Sequence, residues 1–228
     1  MPIRALLFDL DGTLVDSAPD IAGALNHVLR HVGRDAIPLF QVRHLVGRGA
    51  RDLIARSLWG HDAVIPRNDA AFDAMVKRFF DYYCDHISDG SAPFPGVVET
   101  LTLLQQQGYR MAVVTNKTVM LAQLLLTQLQ MDHFFSLVVG GDSLPKCKPE
   151  PQPLLHAMAQ LGTSCAETVM VGDSINDVLA AQAAGCRVVA VSYGYCHEGS
   201  VADLNADVVL DRFDQLPAWL LGELQGRR

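Results

Sequence analysis

Two aspartates separated by one residue, Asp9 and Asp11, stand at the end of a short apolar run and are followed by Gly12 and Thr13. A carboxylate can attack phosphorus, forming an acyl phosphate and splitting one difficult displacement into two easier ones. A second carboxyl two residues on is suited to give a proton to the departing oxygen and then to take one from water. Gly12 would let the backbone turn sharply beside a ligand. Taken alone, the same residues also make an ordinary Asp-Gly turn between a strand and a helix.

Three later segments carry complementary chemistry. In Val113-Val114-Thr115-Asn116-Lys117 a hydroxyl at a strand end, with loop amides behind it, can hold phosphate oxygens or simply cap a helix. In Lys146-Cys147-Lys148-Pro149-Glu150-Pro151 a lysine on a proline-stiffened segment can neutralise phosphate and pair with a nucleophile, or lie exposed in a loop. In Val171-Gly172-Asp173-Ser174-Ile175-Asn176-Asp177 a strand runs through glycine towards a helix. Asp173 and Asp177 are spaced to face one point near that helix start. Clustered carboxylates repel unless a cation intervenes, and a hard divalent ion, Mg²⁺ above all, suits an all-oxygen set. Helix capping by Asp173 or Ser174 is compatible with that role.

These segments need a frame. Short apolar runs of β type recur at Ile3–Phe8, Met111–Thr115, Leu137–Val139, Thr168–Val171, Val188–Val191 and Val208–Leu210. Helical patterns stop at glycine between several of them: Val97–Gln107 at Gly108, Leu154–Leu161 at Gly162, Asp177–Ala184 at Gly185. Alternation of this kind predicts βαβ units around a parallel sheet, in which ligands bind at the carboxyl ends of the strands. From about Asp16 to Ala92 the rhythm breaks into helix-like segments (Asp20–Val32, Leu39–Val46, Ala50–Leu58, Ala70–Tyr83), closed by the turn residues Ser91-Ala92-Pro93-Phe94-Pro95-Gly96. The expected organisation is a catalytic core of residues 1–15 and 93–228, with residues 16–92 as a helical cap inserted after the first strand.

The chain has 228 residues, half of them hydrophobic, and a formal charge of −7. That charge argues against a sequence-independent grip on nucleic acid, which needs clustered cations. No apolar stretch approaches the ~20 residues of a membrane span. The first apolar run meets Asp9 too early for a signal peptide, so a cytoplasmic location is expected. The five cysteines lack CxxC spacing, which speaks against a disulfide framework or structural zinc. Cys147, between two lysines but with no paired histidine, reads as an incidental thiol.

The four segments, in this order and each after a strand, resemble the haloacid dehalogenase superfamily of phosphatases, whose pattern is DxDGT, a later Ser/Thr, a Lys and GDxxxD. The resemblance spans nearly the whole chain. Asp9–Ser17, Val46-Gly47-Arg48-Gly49, Pro95-Gly96 and Gly141–Pro145 with Lys148-Pro149 are most similar to the bacterial phosphoglycolate phosphatases. The resemblance implies a Rossmann-like core with a helical cap. It makes Asp9 the nucleophile and Asp11 the general acid/base, with Thr115, Asn116 and Lys148 holding the phosphoryl group. It gives Mg²⁺ the ligands Asp9, the Asp11 backbone carbonyl and Asp173, with Gly12, Thr13 and Asp177 in support. Lys148 matches better than Lys146 because proline follows it directly.

The partner implied is a small phosphorylated metabolite, in a monomer or a homodimer. For specificity the candidates are Arg48, then Arg51, in the flexible basic turn Gly47–Arg51, since arginine suits a substrate carboxylate. Sugar and amino-sugar phosphatases, pyrophosphatase-like nucleotide phosphatases and β-phosphoglucomutase share the core. From another class, a non-catalytic binding protein could keep the fold. Lys77, the cap's lysine, sits in a charged helix pattern that does not suit a Schiff base. His27 and His31 read as an ordinary helix face.

Overall fold

The computed structural model describes residues 2–195 and 204–225. Cys196 lies outside them. Strand β1 (Ala5–Phe8) is buried along its length, as befits an apolar run inside a sheet covered on both faces. It pairs in parallel with β4 (Arg110–Val114) on one side and β6 (Thr168–Gly172) on the other. With β5 (Leu137–Val139), β7 (Arg187–Val191) and β8 (Val208–Leu210) the order is β5-β4-β1-β6-β7-β8, all pairs parallel.

From β1 the chain builds outward through β4 and β5, then returns to β1's other side for β6. Strand order therefore reverses beside β1, and a crevice opens there. Register sets the height of what lines it. Phe8 lies level with Val113 and with Val171, so the residues that follow all emerge at one edge. The Asp9 amide donates to the Val171 carbonyl at 2.9 Å, and the Thr115 amide to the Val139 carbonyl at 2.9 Å.

Alternation along β1 splits the core in two. Ala5 and Leu7 pack with Leu154, Ala157 and Met158 of α7 (Gln152–Leu161) and with Val178 and Ala181 of α8 (Ile175–Ala184). Leu6 and Phe8 face α5 (Val97–Gln106), α6 (Val119–Gln128) and α9 (Leu216–Gln225). The result is an α/β/α sandwich. The expected strands and helices are present, most ends shifted by a residue or two and the helix expected at Leu39–Val46 ending three residues early at Arg43. The α6 and α9 helices and a two-residue ribbon, β2 (Val15–Asp16) with β3 (Ala92–Pro93), go beyond the sequence reading.

Between the two ribbon strands lie α1 (Ala18–His31), α2 (Leu39–Arg43), α3 (Ala50–Trp59) and α4 (Ala70–Asp85), a helical insertion after β1. Its apolar stripes meet one another: Leu25, Val28 and Leu29 pack in one cluster with Leu53, Phe72, Phe79 and Tyr83. The two chain crossings are fastened together. Val15 pairs with Pro93, and the buried Asp20 carboxylate accepts hydrogen bonds from the Gly90 amide (2.9 Å), the Ser91 amide (2.8 Å) and the Ser91 hydroxyl (2.6 Å).

Replacing Asp20 by alanine leaves those donors buried without their acceptor. We expect Asp20→Ala to cost about 2–4 kcal/mol of unfolding free energy, read by urea denaturation at neutral pH. A loss below about 0.5 kcal/mol would show that the clamp contributes nothing.

Candidate active site

At the carboxyl edge of β1, β4 and β6 the expected residues converge. Ligand oxygens of Asp9, Asp173 and Asp177 lie within 4.8 Å of one another, all three residues buried. Lys148 Nζ, itself buried, bonds Asp177 Oδ1 at 2.6 Å and Asp9 Oδ1 at 3.0 Å. Lys146 is exposed and paired with Glu150 instead.

Each carboxylate is aimed by its own element. The Leu10 amide donates to Asp9 Oδ1 at 2.8 Å. Asp173 accepts from the Thr13 hydroxyl at 2.9 Å and from the Tyr195 amide at 2.6 Å. Asp177 lies in the first turn of α8, and its Oδ2 accepts from the Ser174 hydroxyl and amide in a capping box. Two glycines make room. A Cβ on Gly12, whose φ is +88°, would lie 2.4 Å from Asp173 Oδ2, and one on Gly172 would lie 2.3 Å from Asp177 Cγ.

The electrostatics follow from that crowding. Burial pushes the Asp9 carboxyl up from 3.8 to about 6; Lys148 opposes the rise and Asp177 adds to it. Burial, then Asp9 and Asp177, raise Asp173 well above its ordinary value. Burial alone would lower Lys148, but Asp177 and Asp9 reverse that and raise it. Three carboxylates against one ammonium leave negative charge that a divalent cation would neutralise. Asp9 and Asp173 supply oxygen ligands suited to such an ion, whereas Asp177 is already engaged by Lys148 and Ser174.

The Asp11 carboxylate is not part of that cluster. It accepts from Ser17 Oγ and, through both oxygens, from Lys117 Nζ at 2.9 and 3.1 Å. Lys117 is buried and also donates to the Tyr83 hydroxyl of α4 at 2.7 Å. Sequence reasoning passed over this lysine; its place directly after Thr115-Asn116, at the strand end already singled out, was the available signal.

Asn116 behaves differently from the expected phosphate contact. Its Nδ2 donates to the carbonyls of Gly47 and Lys148, both at 2.9 Å, and its Oδ1 accepts from the Lys148 amide at 3.0 Å. Its side chain is thus a bracket holding Lys148 and seating the insertion, with its backbone amide left for a ligand. Thr115, buried, accepts at its hydroxyl from the Lys117 amide at 3.2 Å, with its own O–H available.

Asp9, Asp11, Thr115, Asn116 and Lys117 line a cavity of about 540 Å³, part of it open to solvent, whose far wall is Ile21, Val46, Leu53, Phe79, Phe80 and Tyr83 of the insertion. Arg48 and Arg51 are not brought there. Arg48 is exposed. Arg51 is tied to Asp73 at 2.8 Å and to the Pro66 carbonyl, stacked 4.9 Å from the Phe72 ring. Lys77 pairs with Asp81 on the surface, and His27 stacks on Tyr82.

The sequence profile of haloacid dehalogenase-like hydrolases matches residues 6–191. The chain belongs to that family. Among members of this hydrolase family, it is 43% identical to a phosphoglycolate phosphatase of Caulobacter vibrioides over 93% of this chain and 88% of that protein. It is 44% identical to a plasmid-borne phosphoglycolate phosphatase of Cupriavidus necator, over 96% and 94%. A solved hydrolase structure, a predicted phosphoglycolate phosphatase from Haemophilus somnus 129pt, superposes with a TM-score of 0.87 at 35% identity, covering 95% of this chain and 97% of that one. Among the described residues of this hydrolase no helix is long and apolar enough to cross a membrane.

Metal-free protein should show the strain in its pH dependence. The folded state holds the Asp9 proton more tightly than the unfolded chain does. The stability this confers is complete below about 3.8 and is lost as pH rises through about 6. A divalent cation binds the ionised carboxylates, so its addition should raise the melting temperature more at pH 7.5 than at pH 5. Melting curves in EDTA and in millimolar MgCl₂ test this. A shift independent of pH, or one kept by Asp173→Ala, would overturn it.

Proposed function

We propose that this hydrolase is a Mg²⁺-dependent phosphatase of small phosphate monoesters, with 2-phosphoglycolate as substrate and Asp9 as nucleophile. In this reading residues 16–92 form a cap over the core of residues 1–15 and 93–228. The observation that carries it is the buried Asp9–Lys148–Asp177 unit beside Asp173, in a chain whose relatives at about 40% identity over nearly full length are named phosphoglycolate phosphatases.

The chemistry runs through the chain's own groups. A carboxylate oxygen of Asp9 forms a bond to phosphorus as the bond from phosphorus to the ester oxygen breaks. Asp11, protonated, gives its proton to that oxygen, and glycolate leaves. Asp11 then takes a proton from water, whose oxygen displaces Asp9 from phosphorus and restores the free carboxylate. Lys148, the Thr115 hydroxyl and the loop amides offset charge on the equatorial oxygens. Mg²⁺ bound by Asp9, Asp173 and the Asp11 carbonyl would neutralise the repulsion between carboxylate and phosphate.

The cavity wall supports a small leaving group. A sugar would lay its hydroxyls against Ile21, Val46, Leu53 and Phe79, where they find no partners, and unpaired polar groups are costly to bury.

The test is a panel with Mg²⁺: 2-phosphoglycolate, glucosamine 6-phosphate, β-glucose 1-phosphate and pyrophosphate. We expect kcat/KM for 2-phosphoglycolate to exceed the others by about tenfold or more, a 1.4 kcal/mol preference. Asp9→Asn should lower kcat by roughly 10³-fold or more and abolish the acid-stable phosphoprotein seen on quenching. Normal turnover in that variant would remove Asp9 from its role. No phosphate release across the panel would favour a non-catalytic protein.

A further inference from the structure

Resting on the substrate reading above, we propose that Lys117, assisted by the Tyr83 hydroxyl, binds the carboxylate of the substrate's leaving portion. Acid specificity then lies on the core loop after β4 rather than on the arginines of the insertion.

Four observations lead there. First, among the described residues lining the cavity, Lys117 alone carries a cationic side chain. Arg48 is exposed and Arg51 is spent on Asp73 and Pro66.

Second, the spacing fits. Asp11 must meet the ester oxygen, and Lys117 Nζ lies one hydrogen bond beyond it, at 2.9 and 3.1 Å. In 2-phosphoglycolate a single methylene separates the ester oxygen from the carboxyl carbon, so the carboxylate oxygens lie about 3–4 Å past the ester oxygen by covalent geometry.

Third, Tyr83 holds an unspent donor. Its hydroxyl, buried at the cavity wall, accepts from Lys117 at 2.7 Å, while its own proton has no acceptor among the described residues. A buried tyrosine normally finds a partner for that proton. A substrate carboxylate, which accepts at both oxygens, can take Lys117 through one and Tyr83 through the other.

Fourth, the rest of the far wall is apolar and suits the methylene alone.

An ammonium has three hydrogens, and here two go to Asp11 and one to Tyr83. An arriving carboxylate therefore displaces one Asp11 oxygen from Lys117. That frees the oxygen to turn to the ester bond.

The experiment compares kcat/KM on 2-phosphoglycolate with that on 2-hydroxyethyl phosphate, which replaces the carboxylate by a hydroxymethyl group. The preference for the acid should fall about 10- to 100-fold in Lys117→Met and about 3- to 10-fold in Tyr83→Phe, the range for charge-assisted and neutral hydrogen bonds. Lys117→Arg, which keeps the charge, should recover part of it. Tyr83→Phe keeps the ring and its packing, and it carries the test alone if Lys117→Met does not fold. An unchanged preference in both variants, or a collapse on Arg48→Met instead, overturns the assignment. Wild-type protein with no preference for the acid overturns the substrate reading along with it. A preference that neither Lys117→Met nor Tyr83→Phe alters overturns this inference alone.

Discussion

Lys148 is a single ammonium set against Asp9, Asp173 and Asp177, all buried, and much of the surrounding structure serves that imbalance. Buried charge is costly unless paired and hydrogen-bonded. The sheet concentrates its help accordingly. Strand order reverses beside β1, which brings loops from β1, β4 and β6 to one edge. The segments after β1, β6 and β7 deliver donors to the carboxylates: the Leu10 amide and Thr13 hydroxyl, Ser174, and the Tyr195 amide. Burial outweighs that help even so, which is why the Asp9 and Asp173 carboxyls both hold a proton more tightly than a free aspartate does. A site poised in this way gains from a divalent cation and a phosphate group together, each relieving charge that the other introduces.

The same edge is where the insertion is fastened. Tyr195 donates its amide to Asp173, and its hydroxyl accepts from the Ala18 amide and donates to Asp16, where the insertion begins. The Gly47 carbonyl takes hydrogen bonds from Asn116, on the loop after β4, and from Asn176, in the first turn of α8. Tyr83 reaches Lys117, and through it Asp11. Asn116 thus contacts the insertion directly, whereas Asp173 is linked to it through Tyr195 and Tyr83 is linked to Asp11 through Lys117. The groups that aim these side chains therefore depend on where the insertion sits.

How far this was legible in the sequence depended on the range of the signal. Apolar strands and glycine-stopped helices are local patterns, and they located the sheet and the loops that follow its strands. The α6 helix escaped because its stop is not a glycine: the left-handed residue after it is Gln130, with φ +57°, and every position of Val119–Gln128 but its glutamines and threonine is apolar. The ribbon of β2 and β3 has two residues per strand, too few for any periodicity to register. Asp9, Thr115 and Asp173 directly follow strand ends, which register brings together, while Asp177 rides in the first turn of α8 and Lys148 on the loop after β5.

Contacts between distant segments were another matter. Arg51 looked suited to a substrate because it is an arginine in a glycine-rich turn, yet which partner it takes depends on Asp73 and Pro66, placed by folding of the insertion. Asn116 was expected at the phosphate from the family resemblance, and no local pattern showed that its side chain bonds the Lys148 backbone and Gly47. Lys117 was overlooked for the converse reason: lysines are seldom buried, and nothing near it in sequence announces Asp11 or Tyr83. All three residues are long or bifunctional side chains whose role is decided by what stands opposite them. Residues fixed by the backbone can be read from a linear pattern, whereas those that reach across to another segment require the fold. In this hydrolase the residues proposed for the reaction belong mostly to the first group and those proposed to choose the substrate to the second.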